Sequence, residues 1–335
     1  MSPSAPAARV ASFPSAARGS RPARRGFVSI LDFTPAELRA TLALAARVKT
    51  ERALGACAPT ARALAGRQVA LLFDKPSLRT RVTFEVAVRE LDGNVLTLPP
   101  EVALGGREEL ADVARNLERW VHAVVIRTYA QRSVEDFAAA APGLAVVNAL
   151  TDEEHPCQAL ADYLTLQQRV GALAGHTIAY VGDGNNVATS LAQAGVMLGV
   201  TLRIAAPRGY ELPARVLEQC ARVAQHGARV VQVEDPREAV KGVSAIYTDV
   251  WTSMGQEDQV AERRRTFAGY QVTSALMQLA GPEAAFMHCL PAHRGEEVSA
   301  DVFDSPASVV FDQAENRLHA QKALLLTLLA SGVPA

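Results

Sequence analysis

The sequence has few cysteines, and none in a pattern that suggests chemistry. Only four occur in 335 residues, Cys57, Cys157, Cys220 and Cys289. No CxxC pair and no zinc-like spacing is present, which argues against a structural zinc site and a disulfide framework. Reduced thiols in a cytosol-like compartment are expected. An excess of either charge is also missing, with 34 Lys plus Arg against 35 Asp plus Glu. That balance gives no basic field for nucleic acid or a membrane surface. No uninterrupted apolar run reaches the length of a membrane span, and no repeat of 20–50 residues is found. Residues 1–25 lack any acid but hold Arg9, Arg18, Arg21, Arg24 and Arg25. Without an apolar h-region they do not read as a secretory signal. They are expected to be a flexible extension, with an organelle transit peptide as the alternative.

What is present is an alternation of apolar runs and amphipathic stretches. With 49% hydrophobic and 21% charged residues, the chain is long enough for two domains with sizeable cores. Thr34-Pro35-Ala36-Glu37 is a capping box that opens a helix to about residue 50. Strands are expected near 67–73, 95–98, 121–126 and 144–147, with helices after Arg81, over 107–119 and over 133–141. A second set of strands begins at Thr177 and continues near 202–206, 229–233, 245–248, 284–287 and 308–311. Helices fall between them near 187–198, 213–226, 236–241 and 272–280, and a last one covers 312–331. The pattern predicts an α/β fold of two doubly wound domains, each with a central parallel sheet. The expected division is 26–151 together with 312–335 as one domain and 152–311 as the other, joined by a helix over 156–170.

The densest chemistry lies in Lys75-Pro76-Ser77-Leu78-Arg79-Thr80-Arg81. It stands between a buried strand and a helix, where free backbone N–H groups and the helix dipole favour an anion. Two hydroxyls and several cations at that point make a phosphate cradle. The segment lacks the glycines of a Walker A loop. Arg127 ends another strand, again where ligands of such sheets bind. Gly182-Asp183-Gly184-Asn185-Asn186 follows a strand but misses the third glycine of a dinucleotide fingerprint, and Ala205-Ala206-Pro207 offers no acid for a ribose. NAD binding is therefore disfavoured. His155 and Gln158 share a helix face, and either cap the helix or polarise a carbonyl and hold an NH2 group. Asp249 begins a loop through Ser253-Met254-Gly255, which reads either as an ordinary βα loop or as a gate with a carboxylate for an ammonium. In His288-Cys289-Leu290-Pro291 the two neighbours on a strand face opposite sides, so His288 is not the base of Cys289. A thiol lining a polar pocket is expected instead, and no metal site. Arg317, a lone helical arginine, carries no signal by itself.

Together these segments resemble the aspartate/ornithine carbamoyltransferases, and among them the ornithine-specific branch, over about residues 26–333. The resemblance implies a two-domain transferase, with its active site in the interdomain cleft, that moves the carbamoyl group of carbamoyl phosphate to the δ-amine of L-ornithine. The products would be L-citrulline and phosphate, in arginine synthesis or its reverse, without a cofactor. It implies phosphate held by Ser77, Leu78, Arg79 and Thr80, with Arg127 bridging phosphate and carbonyl oxygen. His155 and Thr80 would polarise that oxygen, and Gln158 would take the carbamoyl nitrogen. Asn186, Asp249, Ser253 and Met254 would hold ornithine. Cys289 and the Leu290 carbonyl would line the reacting centre, and Arg317 would reach back to carbamoyl phosphate. Arg127, His155, Asp249 and Cys289 are the implied catalytic group. A homotrimer built through the carbamoyl-phosphate domains, or an assembly of trimers, is implied as well. Two positions depart from the family pattern. Leu78 stands where many members have threonine, and Ala103 where many offer a glutamine to the neighbouring subunit. A carbamoyltransferase for another amine, such as putrescine or an acylated ornithine, is the nearest alternative.

Overall fold

The computed structural model describes residues 26–99, 101, 108–252, 255 and 257–330. Ala103, Ser253, Met254 and the segments 1–25 and 331–335 lie outside the described residues.

A parallel sheet organises each half. Strands β1 (Gln68–Phe73), β2 (Asn94–Leu98), β3 (Ala123–Arg127) and β4 (Ala145–Leu150) form the first, in the order β2-β1-β3-β4. Strands β5 (Thr177–Val181), β6 (Thr201–Ala205), β7 (Val230–Val233), β8 (Ala245–Thr248) and β9 (Ala285–His288) form the second, in the order β7-β6-β5-β8-β9. All pairs are parallel. Of the inner strands, β1, β3, β5 and β8 are largely apolar runs because both of their faces are covered by helices. In each sheet the winding reverses at one place, between β1 and β3 and between β5 and β8. Crevices outside the carboxyl ends of strands at such reversals are where ligands bind.

Helices α1 (Pro35–Glu51), α2 (Arg79–Glu90), α3 (Leu110–Trp120) and α4 (Gln131–Ala140) belong to the first half. The capping box at Thr34 forms as expected, with Glu37 reaching back to the Thr34 N–H at 2.8 Å. Helix α5 (Pro156–Val170) leads into the second half, where α6 (Asn186–Leu198), α7 (Ala214–Val223), α8 (Pro236–Val240), α9 (Val260–Phe267), α10 (Ser274–Ala280) and α11 (Ala300–Phe303) follow. The last helix, α12 (Val310–Leu329), packs on α1, α2 and α5. Both α5 and α12 are buried almost all round, so one apolar core runs through them from one sheet to the other.

Three elements differ from the sequence reading, among them the short helix α11, where no helix is expected. Residues 308–311 are not a strand. Ser308 makes a single bridge to Phe286, and the chain turns helical at Val310, leaving Phe311 exposed. Helix α9 is not expected from its highly polar sequence. It is fixed by two buried residues, Arg263, whose guanidinium pairs with Asp183 and lies over the Tyr210 ring at 4.8 Å, and Phe267, whose ring packs edge-on against Tyr210.

Candidate active site

A cleft of about 870 Å³ opens between the carboxyl edges of the two sheets. Its first wall comes from the reversal between β1 and β3. Pro76 breaks the chain after β1, and α2 begins at Arg79, so the backbone N–H groups of the first turn face the cleft with Ser77 and Thr80 beside them. Leu78 is the residue just before α2 and makes no capping hydrogen bond. Its side chain is 74% exposed. Arg127 enters from the end of β3 and is buried.

The helices supply His155 and Arg317. His155 is the residue before α5, and Pro156 occupies the first helical position. The His155 N–H donates to Ser190 Oγ at 2.9 Å, while its Nδ1 is buried without a partner. Arg317 crosses from α12. It donates to Thr80 Oγ1 at 2.5 Å and to Gln158 Oε1. Gln158 itself stands one layer behind the open surface, buried against Asp162 at 2.7 Å.

The second wall comes from the reversal between β5 and β8. Asn185 caps α6, accepting from Val187 and Ala188, and its Nδ2 donates to Asp249 Oδ2 at 2.9 Å. Asn186 donates to the Thr151 carbonyl at 2.5 Å. The Cys289 thiol donates to Asp249 Oδ1, also at 2.9 Å. His288 turns away, as the strand alternation requires. Its Nδ1 accepts from the Leu290 N–H at 2.9 Å, so Nε2 carries the proton and faces Glu297 at 3.2 Å. Leu290 sits at φ 61° and is joined to Pro291 by a cis peptide. Asp249, His288 and Cys289 each bring one ligating atom within 4.8 Å of the others. All three already have protein hydrogen-bond partners.

The electrostatics of the two walls are opposite. On the first wall, burial and then the neighbouring charge of Arg317 push the Arg127 guanidinium down to about 10. Burial, helped by Arg317 and Arg127, holds His155 well below the ordinary imidazole range, so it is neutral. Three guanidiniums, Arg79, Arg127 and Arg317, thus converge where a helix also presents its N-terminus. Such a cluster is costly until an anion fills it. On the second wall, burial and the adjacent Asp249 push the Cys289 thiol well above its ordinary value. It is a neutral thiol, unsuited to nucleophilic attack.

The sequence-predicted residues Ser77, Leu78, Arg79, Thr80, Arg127, His155, Asn186, Asp249, Cys289, Leu290 and Arg317 thus all border one cleft. Lys75, Tyr129 and Asp152 join them and were not singled out. Buried Lys75 pairs with Asp152, and its ammonium lies 4.1 Å from the Tyr129 ring centroid. Lys75 stood inside the basic segment, but nothing in the sequence tied it to Asp152.

Two domain models of one family match the chain. The aspartate/ornithine carbamoyltransferase carbamoyl-P binding domain matches residues 25–168, and the Asp/Orn binding domain matches residues 174–328. An ornithine carbamoyltransferase of Parasynechococcus marenigrum is 50% identical over 307 residues, 91% of this chain and 94% of the relative. One from Symbiobacterium thermophilum is 49% identical, over 91% of this chain and 98% of the relative. Among solved structures, the ornithine carbamoyltransferase from Pyrococcus furiosus superposes with a TM-score of 0.87 at 46% identity, covering 93% of this chain and 99% of that one. The enzyme from Thermus thermophilus gives 0.81 at 44%, over 91% and 99%. Matched by both domain models and by relatives of this similarity, the chain belongs to the aspartate/ornithine carbamoyltransferase family.

Proposed function

We propose that this protein transfers the carbamoyl group of carbamoyl phosphate to the δ-amine of L-ornithine, yielding L-citrulline and phosphate. The observation that carries the reading is the pairing of a three-arginine anion site with a carboxylate-and-thiol wall across one cleft, in a chain half identical to ornithine carbamoyltransferases.

The chemistry follows from those two walls. Ser77, Arg79, Thr80 and the α2 N-terminus hold the phosphate, with the N–H of Leu78 in the same cradle. Arg127, neutral His155 and Thr80 converge on the carbonyl oxygen, where charge develops as a tetrahedral intermediate forms. Donors fixed before reaction at such a point usually provide the largest catalytic contribution. Gln158 receives the carbamoyl N–H. Asp249, with Asn186, Ser253 and Met254, engages the α-amino-acid end of ornithine. Cys289 and the Leu290 carbonyl orient the neutral δ-amine for attack. The leaving phosphate, already matched by Arg79, Arg127 and Arg317, accepts the proton that the amine sheds. Residues 26–151 and α12 form the carbamoyl-phosphate side of this division of labour, and residues 152–311 the ornithine side.

The working unit is a homotrimer or an assembly of trimers, which light scattering coupled to size exclusion measures directly. None of the described helices is long and apolar enough to cross a membrane, which fits a cytoplasmic enzyme of arginine metabolism. The decisive assay is colorimetric detection of the ureido product from carbamoyl phosphate. Ornithine, putrescine, N-acetylornithine and aspartate are compared side by side. Product with ornithine is expected. Its absence, with product from another acceptor, overturns the choice of substrate.

A further inference from the structure

After Pro291 the chain folds into a short closed turn. The Glu296 N–H donates to the His293 carbonyl at 2.9 Å, and the Gly295 N–H to the Val298 carbonyl at 2.8 Å. Gly295 takes φ 93°, a value that glycine supplies at the third position of such a turn. The turn gathers three side chains that no step of the transfer reaction uses. His293, Glu296 and Glu297 each bring one ligating atom within 4.8 Å of the others.

Glu297 is the unusual member. It is buried, and its Oε1 accepts from the His288 Nε2–H at 3.2 Å and from the His293 N–H at 2.5 Å. Its Oε2 is buried too, and has no hydrogen-bond partner among the described residues. A bare carboxylate oxygen away from water costs free energy until a cation meets it. His293 Nδ1 faces it at 3.7 Å, beyond hydrogen-bond reach. That separation suits a metal ion between them, since two zinc–ligand bonds at a tetrahedral angle hold their ligand atoms about 3.4 Å apart. The carboxylates are also oriented from behind. Arg264 holds Glu296 through Oε1 at 2.5 Å, and His288 holds Glu297. Such outer partners are the usual surroundings of metal ligands. The cluster of Asp249, His288 and Cys289 differs, because protein hydrogen bonds already occupy its groups.

We propose that His293, Glu296 and Glu297 bind one divalent transition-metal ion such as Zn2+. The imidazole selects against Mg2+ and Ca2+, which prefer oxygen alone. Two carboxylates match the charge of a dication. His293, half exposed beside the cleft, gives water access as a further ligand. Bound there, the ion ties together the two ends of the turn that follows the Leu290 carbonyl. The linear order His-x2-Glu-Glu matches no helical or CxxC ligand pair, so the sequence alone points to no metal.

The test titrates the chelator-treated full chain with Zn2+, and with Co2+ followed by absorption. The wild type is expected to take up one ion per chain, without a thiolate charge-transfer band from Co2+. His293→Ala and Glu296→Gln should each weaken binding by at least about tenfold, and Cys289→Ser should bind as the wild type does. Zn2+ should raise the melting temperature of the wild type and not that of His293→Ala, because an ion stabilises only a fold that holds it. Should His293→Ala not fold, Glu296→Gln decides. Lack of saturable uptake, uptake that survives both variants, or equal affinity for Mg2+ overturns the proposal. So does loss of binding in Cys289→Ser with a thiolate band in the wild type, which moves the ion to Asp249 and Cys289. None of these outcomes touches the transferase reading, which citrulline formation tests by itself.

Discussion

The thiol of Cys289 donates to Oδ1 of Asp249 at 2.9 Å, joining residues that stand 40 apart in the chain at the ends of two neighbouring strands. The other carboxyl oxygen is held by Asn185. Asp249 is thus oriented before ornithine arrives, and the thiol remains protonated beside it. Asp249→Asn should raise KM for ornithine by on the order of a hundredfold, with KM for carbamoyl phosphate nearly unchanged, because the lost partner is a buried charge. Cys289→Ser keeps a donor to Asp249 and should cost turnover about tenfold or less. Steady-state kinetics with each substrate varied in turn checks both. Complete inactivity of Cys289→Ser would reveal covalent chemistry at the thiol.

Arg127 is desolvated and faces two further guanidiniums. Arg127→Ala should lower kcat by about two to three orders of magnitude, the usual cost of one oxyanion donor. The melting temperature of the unliganded enzyme should hold or rise, since a strained charge is removed. Calorimetry and a single-turnover assay separate the two effects. Near-normal turnover would exclude Arg127 from the reacting oxygen.

Leu78 is exposed and precedes α2 without capping it. If the backbone N–H alone serves the phosphate, Leu78→Thr should change KM for carbamoyl phosphate by less than about threefold. A large gain in affinity would assign the side chain a part in binding.

Glu154 is another buried acid, raised from 4.5 to about 7 by burial, against the hydrogen bonds of Ser29 and the Ile30 N–H. Its folded value lies above its unfolded one. Its stabilisation is therefore complete below about pH 4.5 and is lost as pH rises through about 7. Glu154→Gln should match the wild type at pH 4.5 and melt higher than it at pH 8, by an amount on the order of 2–3 kcal/mol. Melting curves of both proteins across that range provide the check. A wild type more stable than the variant at pH 8 would show that the carboxylate is paired more strongly than its neighbours suggest.

Much of the site was legible because its parts are local. The segment 75–81 announces itself by hydroxyls and cations at a strand-to-helix turn, and both properties belong to neighbouring residues. The alternation along β9 correctly separated His288 from Cys289. The false strand at 308–311 arose because two valines and a phenylalanine in sequence mimic a strand edge. The single bridge at Ser308 is too little to hold them extended.

The sequence by itself determined the alternating parallel architecture and the strand-to-helix turn after β1 that gathers hydroxyls and cations. Each depends on periodicity or on residues a few positions apart. Only the tertiary structure decided what Arg317 and Asp162 do. Arg317 reaches Thr80 across 237 positions, and Asp162 meets Gln313 across 151. Neither pairing leaves a trace in local composition. A guanidinium or a carboxylate on a helix face has the same sequence signature whether it meets water or a partner, and only the packing of α12 on α2 and α5 distinguishes them.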